Sequence, residues 1–450
     1  MEVTVASGPP AFSLEIPVHE HRLANGLRVV LSPARGAPVV LVAVYYHVGM
    51  RLEPRGRTGF AHLFEHLMFE GSDQLGKAEA AHLVEQNGGV FNGSTRYDFT
   101  NYFEAMPAHA LELALWMEAD RMRGPRVTQA ELDNQRDVVK NEIRVNVTNQ
   151  PYGGFPWITM AEHAFQNWHN AHNGYGDMVD LDAASLADVK RFFHDYYSPS
   201  NAALVITGDI DPNDALALAV RHFATIPARP SPPPPDLSEP RQAAERRVTH
   251  RDPLATRPAL AVSYHTPARG SIEYYALGLL DDVLLQGDDS LLHQAIVKGR
   301  GFASQVEGGI NFLGHMHNAT TPLLWTSWLV HDPGVSADEV LAALDAVIEP
   351  VRTNRLDDAA FARALVKARS GYYDTIGDYY AYPLLGRADM LASCTLFDDD
   401  PGRINRIPER FDALTPTVLL ETAREYLRPE NRTVIALQPG AATDTTGRPA

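Results

Sequence analysis

Five consecutive residues, His62-Leu63-Phe64-Glu65-His66, have the types and the spacing of a metal site. They read H-x-x-E-H, the inverse of the zinc signature H-E-x-x-H. At about 100° per residue in a helix, His62, Glu65 and His66 share one narrow face, and Leu63 and Phe64 fall on the opposite, apolar face. A catalytic zinc needs three protein ligands and a water. The motif supplies two imidazole ligands and a candidate general base, so a third ligand must come from elsewhere.

A second helical stretch, predicted from about Thr128 to Val147, carries Glu142 near its end. Its apolar residues recur at helix-like intervals, and zinc accepts a carboxylate oxygen as readily as a third histidine. The H-x-x-E-H motif followed by a glutamate at this interval resembles the M16 (pitrilysin-type, inverzincin) metallopeptidases. The resemblance implies that His62, His66 and Glu142 bind Zn²⁺ and that Glu65 activates the zinc-bound water.

Further stretches resemble the same family, most densely between residues 20 and 210. They are the segments 87–95, 98–102, 149–153 and 193–209. In the family, a peptide substrate pairs with an edge strand beside the zinc. The resemblance therefore implies a substrate-binding strand formed by Phe91, Asn92, Gly93 and Ser94. Backbone pairing of this kind recognises an extended conformation and makes little demand on side chains.

The composition excludes several classes of protein. A chain of 450 residues predicts two to four domains. The net charge of −17 argues against a nucleic-acid partner, and the chain has no apolar run long enough for a transmembrane helix. The single cysteine, Cys394, rules out an intrachain disulfide and a thiolate zinc site. The first residues do not read as a signal peptide, which favours a cytoplasmic location, or a periplasmic one if a signal was removed.

A proline-rich stretch divides the sequence. Residues 229–240 read RPSPPPPDLSEP, which neither a helix nor a central strand accommodates. The two parts look alike in outline, which indicates an internal duplication of an α+β unit. We predict an N-terminal domain with the zinc site, a linker, a C-terminal domain without metal and a disordered tail. Their bounds are 1–228, 229–241, 242–439 and 440–450.

The family resemblance implies the arrangement of these parts. Two homologous α/β sandwich domains would face each other and enclose a cavity, with the proline-rich linker as a hinge or spacer. Active members also carry an arginine and a tyrosine, seven positions apart, in the C-terminal half. Here the comparable positions are Ala295 and Phe302, so neither donor is present.

The missing pair shapes the functional prediction. Some M16 proteins divide the work between two homologous subunits, one with the metal motif and one with the Arg/Tyr pair. We expect a zinc-dependent endopeptidase that is the metal-bearing subunit of a heterodimer, with a homodimer as the second possibility. A non-proteolytic peptide-binding or assembly subunit is the alternative function, although it would have no need of Glu65. A zinc hydrolase of non-peptide amides is disfavoured by the flanking motifs.

Other polar residues are assigned more ordinary roles. The histidines outside the motif are interpreted as loop or surface residues; these are His163, His169, His172, His315 and His317. Arg96 and Asp98 are interpreted as turn charges. A carboxylate that orients a ligand histidine is expected, and the candidates Glu70, Glu79, Glu85 and Glu131 stay open.

Overall fold

The computed structural model describes residues 14–377 and 381–440. Of the tail predicted over residues 440–450, only residue 440 lies within them. The first half builds a six-stranded sheet with helices on its faces. Its strands are β1 His19–Arg22, β2 Arg28–Pro33, β3 Val39–Tyr46, β4 Val90–Thr95, β5 Thr100–Pro107 and β6 Ala202–Gly208. Its helices are α1 Phe60–Leu67, α2 Glu79–Gln86, α3 Leu111–Arg123, α4 Gln129–Ile143, α5 Thr159–Ala164, α6 Trp168–Ala171, α7 Met178–Asp182, α8 Leu186–Tyr196 and α9 Pro212–Phe223.

Over its described residues, the second half builds a five-stranded sheet and six α-helices. Its strands are β7 Arg246–Asp252, β8 Ala259–His265, β9 Glu307–Ile310, β10 Leu324–Val330 and β11 Arg432–Pro439. Its helices are α10 Ile272–Leu284, α11 Ala337–Thr353, α12 Asp358–Gly377, α13 Leu385–Asp398, α14 Ile407–Asp412 and α15 Pro416–Tyr426. The fold is α+β, as the sequence predicts.

The two sheets share one topology. The first has the order β1-β2-β6-β3-β5-β4 and the second the order β7-β11-β8-β10-β9. In each, one parallel pair (β2 with β6, β7 with β11) is followed by antiparallel pairs out to the far edge. Apart from the extra strand β1, the order matches strand for strand, as an internal duplication predicts. The strands β4 and β9 are the corresponding free edges.

Each half contributes a helix to the other half's sheet. Helix α13 of the second half packs on β6 and β3, and α5 of the first half packs on β8 and β11. Central strands such as β3, with the sequence VVLVAVYY, are buried along almost their whole length because both faces are covered. The residues of β3 and β5 that face α13 join one hydrophobic core with residues of the second half. The halves are therefore joined by a packed core as well as by the linker.

The proline-rich linker is anchored to the first half near α6. The Glu239 carboxylate accepts hydrogen bonds from the backbone N–H groups of Gln166 and Asn167, each at 2.9 Å. The Asn170 amide donates to the same carboxylate at 2.9 Å. In the described part of the chain, no helix has both the length and the apolar character needed to cross a bilayer.

A buried ion pair of the first half also bonds to the second half. Arg51 and Asp98 of the first half are each 2% exposed and lie 3.3 Å apart. Arg51 also donates to the Thr320 carbonyl oxygen at 3.0 Å, and Asp98 accepts from the Thr320 backbone N–H at 2.7 Å. The sequence-based interpretation of Asp98 as a turn charge was wrong, because its partner is distant in the sequence.

Candidate metal centre

Helices α1 and α4 pack against each other and bring three donor side chains together. The Nε2 atoms of His62 and His66 lie 3.3 Å apart. Glu142 places Oε2 at 3.3 Å from His66 Nε2 and Oε1 at 3.7 Å from His62 Nε2. Within residues 14–377 and 381–440, this is the one cluster of three or more His, Cys, Asp or Glu side chains that could hold a metal ion.

The motif sits on α1 as the helical pattern predicts. Leu63, Phe64 and Leu67 are fully buried in the core of the first half, so the opposite face is fixed toward α4. On α4, Leu132 and Val139 pack into the same core. Burial of one face on each helix thus decides where the donor side chains meet.

A tyrosine that the sequence analysis did not identify supports two of the three donors. The Tyr175 hydroxyl donates a hydrogen bond of 2.5 Å to Glu142 Oε1 and accepts one of 3.0 Å from the Asn146 amide. Its ring stacks on that of His62, with 4.8 Å between centroids and 12° between planes. Trp157 packs edge-on against Tyr175 at 5.3 Å. Tyr175 therefore links the α1 side of the cluster to the α4 side.

The electrostatics of the cluster favour a carboxylate at Glu142. The hydrogen bond with His66 lowers the pKa of Glu142 to about 2, against the opposing effect of burial. Burial, together with the bond to Glu142, raises the pKa of Tyr175 to about 12, so the hydroxyl stays a donor. Burial lowers the pKa of His62, which favours the neutral imidazole that binds metals.

Glu65 lies on the same face of α1 and lines the cavity between the halves. Its Oε2 atom accepts a hydrogen bond of 2.6 Å from the Thr95 hydroxyl. Thr95 is buried at the end of β4. The bond fixes the orientation of the Glu65 carboxylate relative to the three donors and leaves its other oxygen available to a proton donor.

One of the four open carboxylate candidates is linked to a ligand histidine through a glutamine. Glu70 is 5% exposed and accepts a hydrogen bond of 2.7 Å from Gln135, which also interacts with His66. Glu79 instead accepts from the Gly76 backbone N–H, and Glu131 caps the start of α4. Glu85 is exposed. Glu70 thus reaches His66 only through Gln135.

The predicted substrate-binding strand is β4, the free edge of the first sheet. Asn92, Gly93 and Ser94 line a cavity of about 750 Å³ that also contains His62, Glu65 and Glu142. The side chain of Phe91 turns to the other face and packs against Phe69 with 5.8 Å between ring centroids. A peptide along β4 would therefore meet Phe91 only through its backbone.

The second half closes the other side of this cavity. The described residues of the second half that line the cavity are Phe312, Leu313, Trp328, Tyr382, Leu385 and Asp389, and none of these six is an arginine. The Asn92 amide donates a hydrogen bond of 3.0 Å to the Tyr382 hydroxyl, so the two halves meet at the edge strand. Ala295 lies in a separate groove, and Phe302 packs against the core of the second half.

Two histidines interpreted as loop or surface residues are buried structural groups. His172 forms an ion pair with Glu53 at 3.0 Å. His317 is buried beside His315, which in turn pairs with Asp389 at 2.9 Å. Both residues lie in loops, as the sequence predicts, but neither side chain is exposed, because a loop position does not imply contact with solvent.

Comparison with known proteins gives the family of both halves. The model described as "Insulinase (Peptidase family M16)" matches residues 28–164, and the one described as "Peptidase M16 inactive domain" matches residues 183–366. The first match contains the cluster of His62, His66 and Glu142. The second begins before the proline-rich linker and extends into α12.

Individual relatives cover nearly the whole chain. A protein of Helicobacter pylori named "Zinc protease PqqE" is 27% identical over 431 residues, which is 94% of each chain. An uncharacterised zinc protease of Mycobacterium leprae is 27% identical over 82% of this chain and 81% of its own length. The crystal structure of a protease from Helicobacter pylori superposes with a TM-score of 0.86 at 25% identity, over 94% of this chain and 100% of that one.

Proposed function

Because this chain belongs to the M16 family of peptidases, we propose that it is a zinc-dependent endopeptidase. Its zinc ligands would be His62, His66 and Glu142, and its general base would be Glu65. The observation that carries the proposal is the convergence of the three ligand side chains from two helices, next to a cavity that His62 and Glu142 line. The names of its relatives as zinc proteases support the same reaction class.

The donor set suits zinc in type and in spacing. Two imidazoles and one carboxylate make up a common catalytic zinc set. Bond lengths of about 2.0–2.1 Å in a tetrahedral site place ligand atoms about 3.3–3.4 Å apart, close to the observed separations of 3.3, 3.3 and 3.7 Å. Bound there, zinc would lower the pKa of a water molecule to about 7 and polarise the carbonyl of a scissile peptide bond.

The chain's own groups would handle the proton and the substrate. Glu65, oriented by Thr95, would accept a proton from the attacking water and pass it to the leaving amine. An extended peptide would add to the free edge of β4 through backbone hydrogen bonds. Asn92, next to that edge, would exchange its bond with Tyr382 for one to the peptide backbone.

We further propose that a partner completes the site. The family's Arg/Tyr pair has no counterpart at Ala295 and Phe302, and these positions lie away from the cavity. The loss of one donor to a developing oxyanion typically costs about 10²–10³ in rate. A heterodimer with a homologous subunit that carries the pair is the arrangement we favour, and a homodimer is the second.

A non-proteolytic peptide-binding subunit is the alternative. It would use β4 and the cavity but would place no demand on Glu65 or on the donor cluster. The short bond between Thr95 and Glu65, which orients a group useful only for proton transfer, favours the enzyme.

Cleavage of a quenched-fluorescent peptide library by the purified, zinc-loaded chain tests the proposal, with Glu65→Gln as the matched control. If the wild-type chain cleaves peptides, and Glu65→Gln binds zinc but does not cleave them, the result supports a complete site in this chain. Stoichiometric zinc without cleavage supports a half-site, and adding candidate homologous subunits should then restore activity. Cleavage that survives in Glu65→Gln would contradict the assigned base, and a chain that binds no zinc would contradict the whole proposal.

A further inference from the structure

The helix that carries the histidine motif has no capping side chain of its own. The residue before α1 is Gly59, in the left-handed conformation with φ = 74° and without a side-chain hydrogen bond. Glu53 supplies the missing acceptor from another segment. Its Oε2 accepts from the Gly59 N–H at 2.9 Å, and its Oε1 from the Ala61 N–H at 2.8 Å. A carboxylate at this end satisfies free N–H groups and interacts favourably with the helix dipole.

Glu53 is fully buried, and within the described part of the chain its ion-pair partner is His172. His172 Nε2 lies 3.0 Å from Glu53 Oε2, and Nδ1 lies 2.9 Å from the Trp168 carbonyl oxygen. A carbonyl oxygen only accepts, so Nδ1 carries a hydrogen, and the other nitrogen shares a proton with the carboxylate. The ring also stacks on Trp168, with 4.1 Å between centroids. The imidazole is thus held in position through both of its ring nitrogens.

The segment that carries His172 also carries Tyr175, and it closes directly onto the start of α1. A Cβ atom at Gly59 would lie 2.4 Å from the Gly176 Cα atom, so the two backbones touch there and only glycine fits. Tyr175 then reaches Glu142 through its hydroxyl and His62 through its ring. The Glu53–His172 pair lies at the junction of the two elements that orient the donor cluster.

We propose that Glu53 and His172 are positioning residues for the metal centre. Their buried ion pair fixes α1 against segment 168–176, so that His62 and His66 meet the carboxylate that Tyr175 orients. This role rests on the proposed zinc function, but the mechanical coupling of the two segments does not depend on a bound metal.

Two variants test the pair in the full-length chain. Glu53→Gln keeps an oxygen acceptor for α1 but removes the charge, and His172→Gln removes the imidazole. Asp398→Asn is the control, because it breaks a comparably buried ion pair with Arg269 in the second half. Zinc affinity is measured by competition with a chelator, and amide hydrogen exchange is measured in peptides that span residues 59–67 and 168–177.

Each variant should bind zinc about 10–100-fold more weakly, as is typical when a supporting partner of metal ligands is lost. In each, exchange should accelerate in both segments, and the double variant should be no worse than the more affected single one, because the residues act as a unit. Asp398→Asn should change neither readout. Unchanged zinc affinity in both variants would overturn the inference, as would exchange that is unchanged or that accelerates in one segment only.

The two proposals fail in different ways. If the wild-type chain binds no zinc, the proposed function falls, and the exchange measurement alone decides whether Glu53 and His172 couple the segments. If wild type binds zinc and both variants bind it equally well, the positioning role falls and the proposed function stands.

Discussion

The Tyr175 hydroxyl donates a hydrogen bond of 2.5 Å to Glu142, while the ring of the same residue stacks on His62 at 4.8 Å. One side chain therefore touches two of the three candidate ligands, which come from different helices. Partners of this kind orient metal ligands and tune their basicity. The hydroxyl and the ring contribute separately, so they can be tested separately.

Tyr175→Phe removes the hydrogen bond and keeps the stack. We expect zinc affinity to fall about 10–100-fold, because the Glu142 carboxylate loses the group that orients it. Chelator competition measures the change. Tyr274→Phe is the control, since its buried hydroxyl donates to the Met316 carbonyl at 2.6 Å in the second half and should leave zinc affinity unchanged. Equal zinc affinity in Tyr175→Phe and wild type would show that the hydroxyl does not orient Glu142.

Thr95→Val replaces the hydroxyl that bonds to Glu65 with a methyl group of similar size. A hydrogen bond to a charged group contributes about 1.5–3 kcal/mol, so we expect kcat to fall roughly 10–100-fold while zinc affinity stays the same. Steady-state kinetics with the best peptide of the library, together with zinc titration, separates the two effects. Thr95→Ser restores the hydroxyl and should recover most of the rate. If Thr95→Ser is as slow as Thr95→Val, the hydrogen bond is not the cause.

The features that the sequence predicts are those with a local period. The i, i+3, i+4 spacing of His62, Glu65 and His66 fixes their common face because a helix repeats every 3.6 residues, and Leu63 and Phe64 are buried opposite them as that period requires. The apolar runs that form β3 and β8 are equally local. Similar apolar runs occur in the same order along the two halves, in agreement with the shared strand order of the two sheets.

The features that the sequence misses depend on approaches between distant segments. His172 and Glu53 are far apart in the chain, and nothing in either neighbourhood indicates that they meet. Tyr175 lies in an irregular segment after α6, where no period applies. Its flanking glycines are the available signal, since Gly174 makes room for the Met50 side chain and Gly176 for the backbone of Gly59. Asp98 was misread for the same reason, because its partner Thr320 belongs to the other half.

Asp98→Ala should destabilise the whole molecule rather than the metal centre. It leaves Arg51 buried without its carboxylate at the junction of the halves. Removal of one partner of a buried pair costs about 3–5 kcal/mol of unfolding free energy, which urea denaturation measures. Asp338→Ala breaks the exposed pair with Arg247 and should cost about 0–1 kcal/mol. Similar losses in both variants would mean that the Arg51 pair does not hold the halves together.

A partly buried carboxyl in the second half should make stability depend on pH. Burial raises the pKa of Asp281 from 3.8 to about 6, although the Trp325 indole donates a hydrogen bond of 2.6 Å to it. Between about pH 4 and about pH 6, the Asp281 carboxyl of the folded chain keeps a proton that the same carboxyl has released in the unfolded chain. The contribution of Asp281 to stability therefore declines as the pH rises from about 4 to about 6, and the penalty is fully present above that range.

Asp281→Asn keeps an oxygen to accept from Trp325 and removes the ionisation. The difference in unfolding free energy between Asp281→Asn and wild type should favour the variant more near pH 7.5 than near pH 4.5, by on the order of 1–2 kcal/mol. Each pKa unit is worth about 1.4 kcal/mol, and the partial exposure of the residue reduces the effect. Urea denaturation of both chains at the two pH values gives the difference. Asp288→Asn alters an exposed carboxylate nearby and should follow wild type at both. A wild type and an Asp281→Asn variant with parallel pH profiles would show that Asp281 stays ionised in the fold, and hence that solvent or an unidentified cation reaches it.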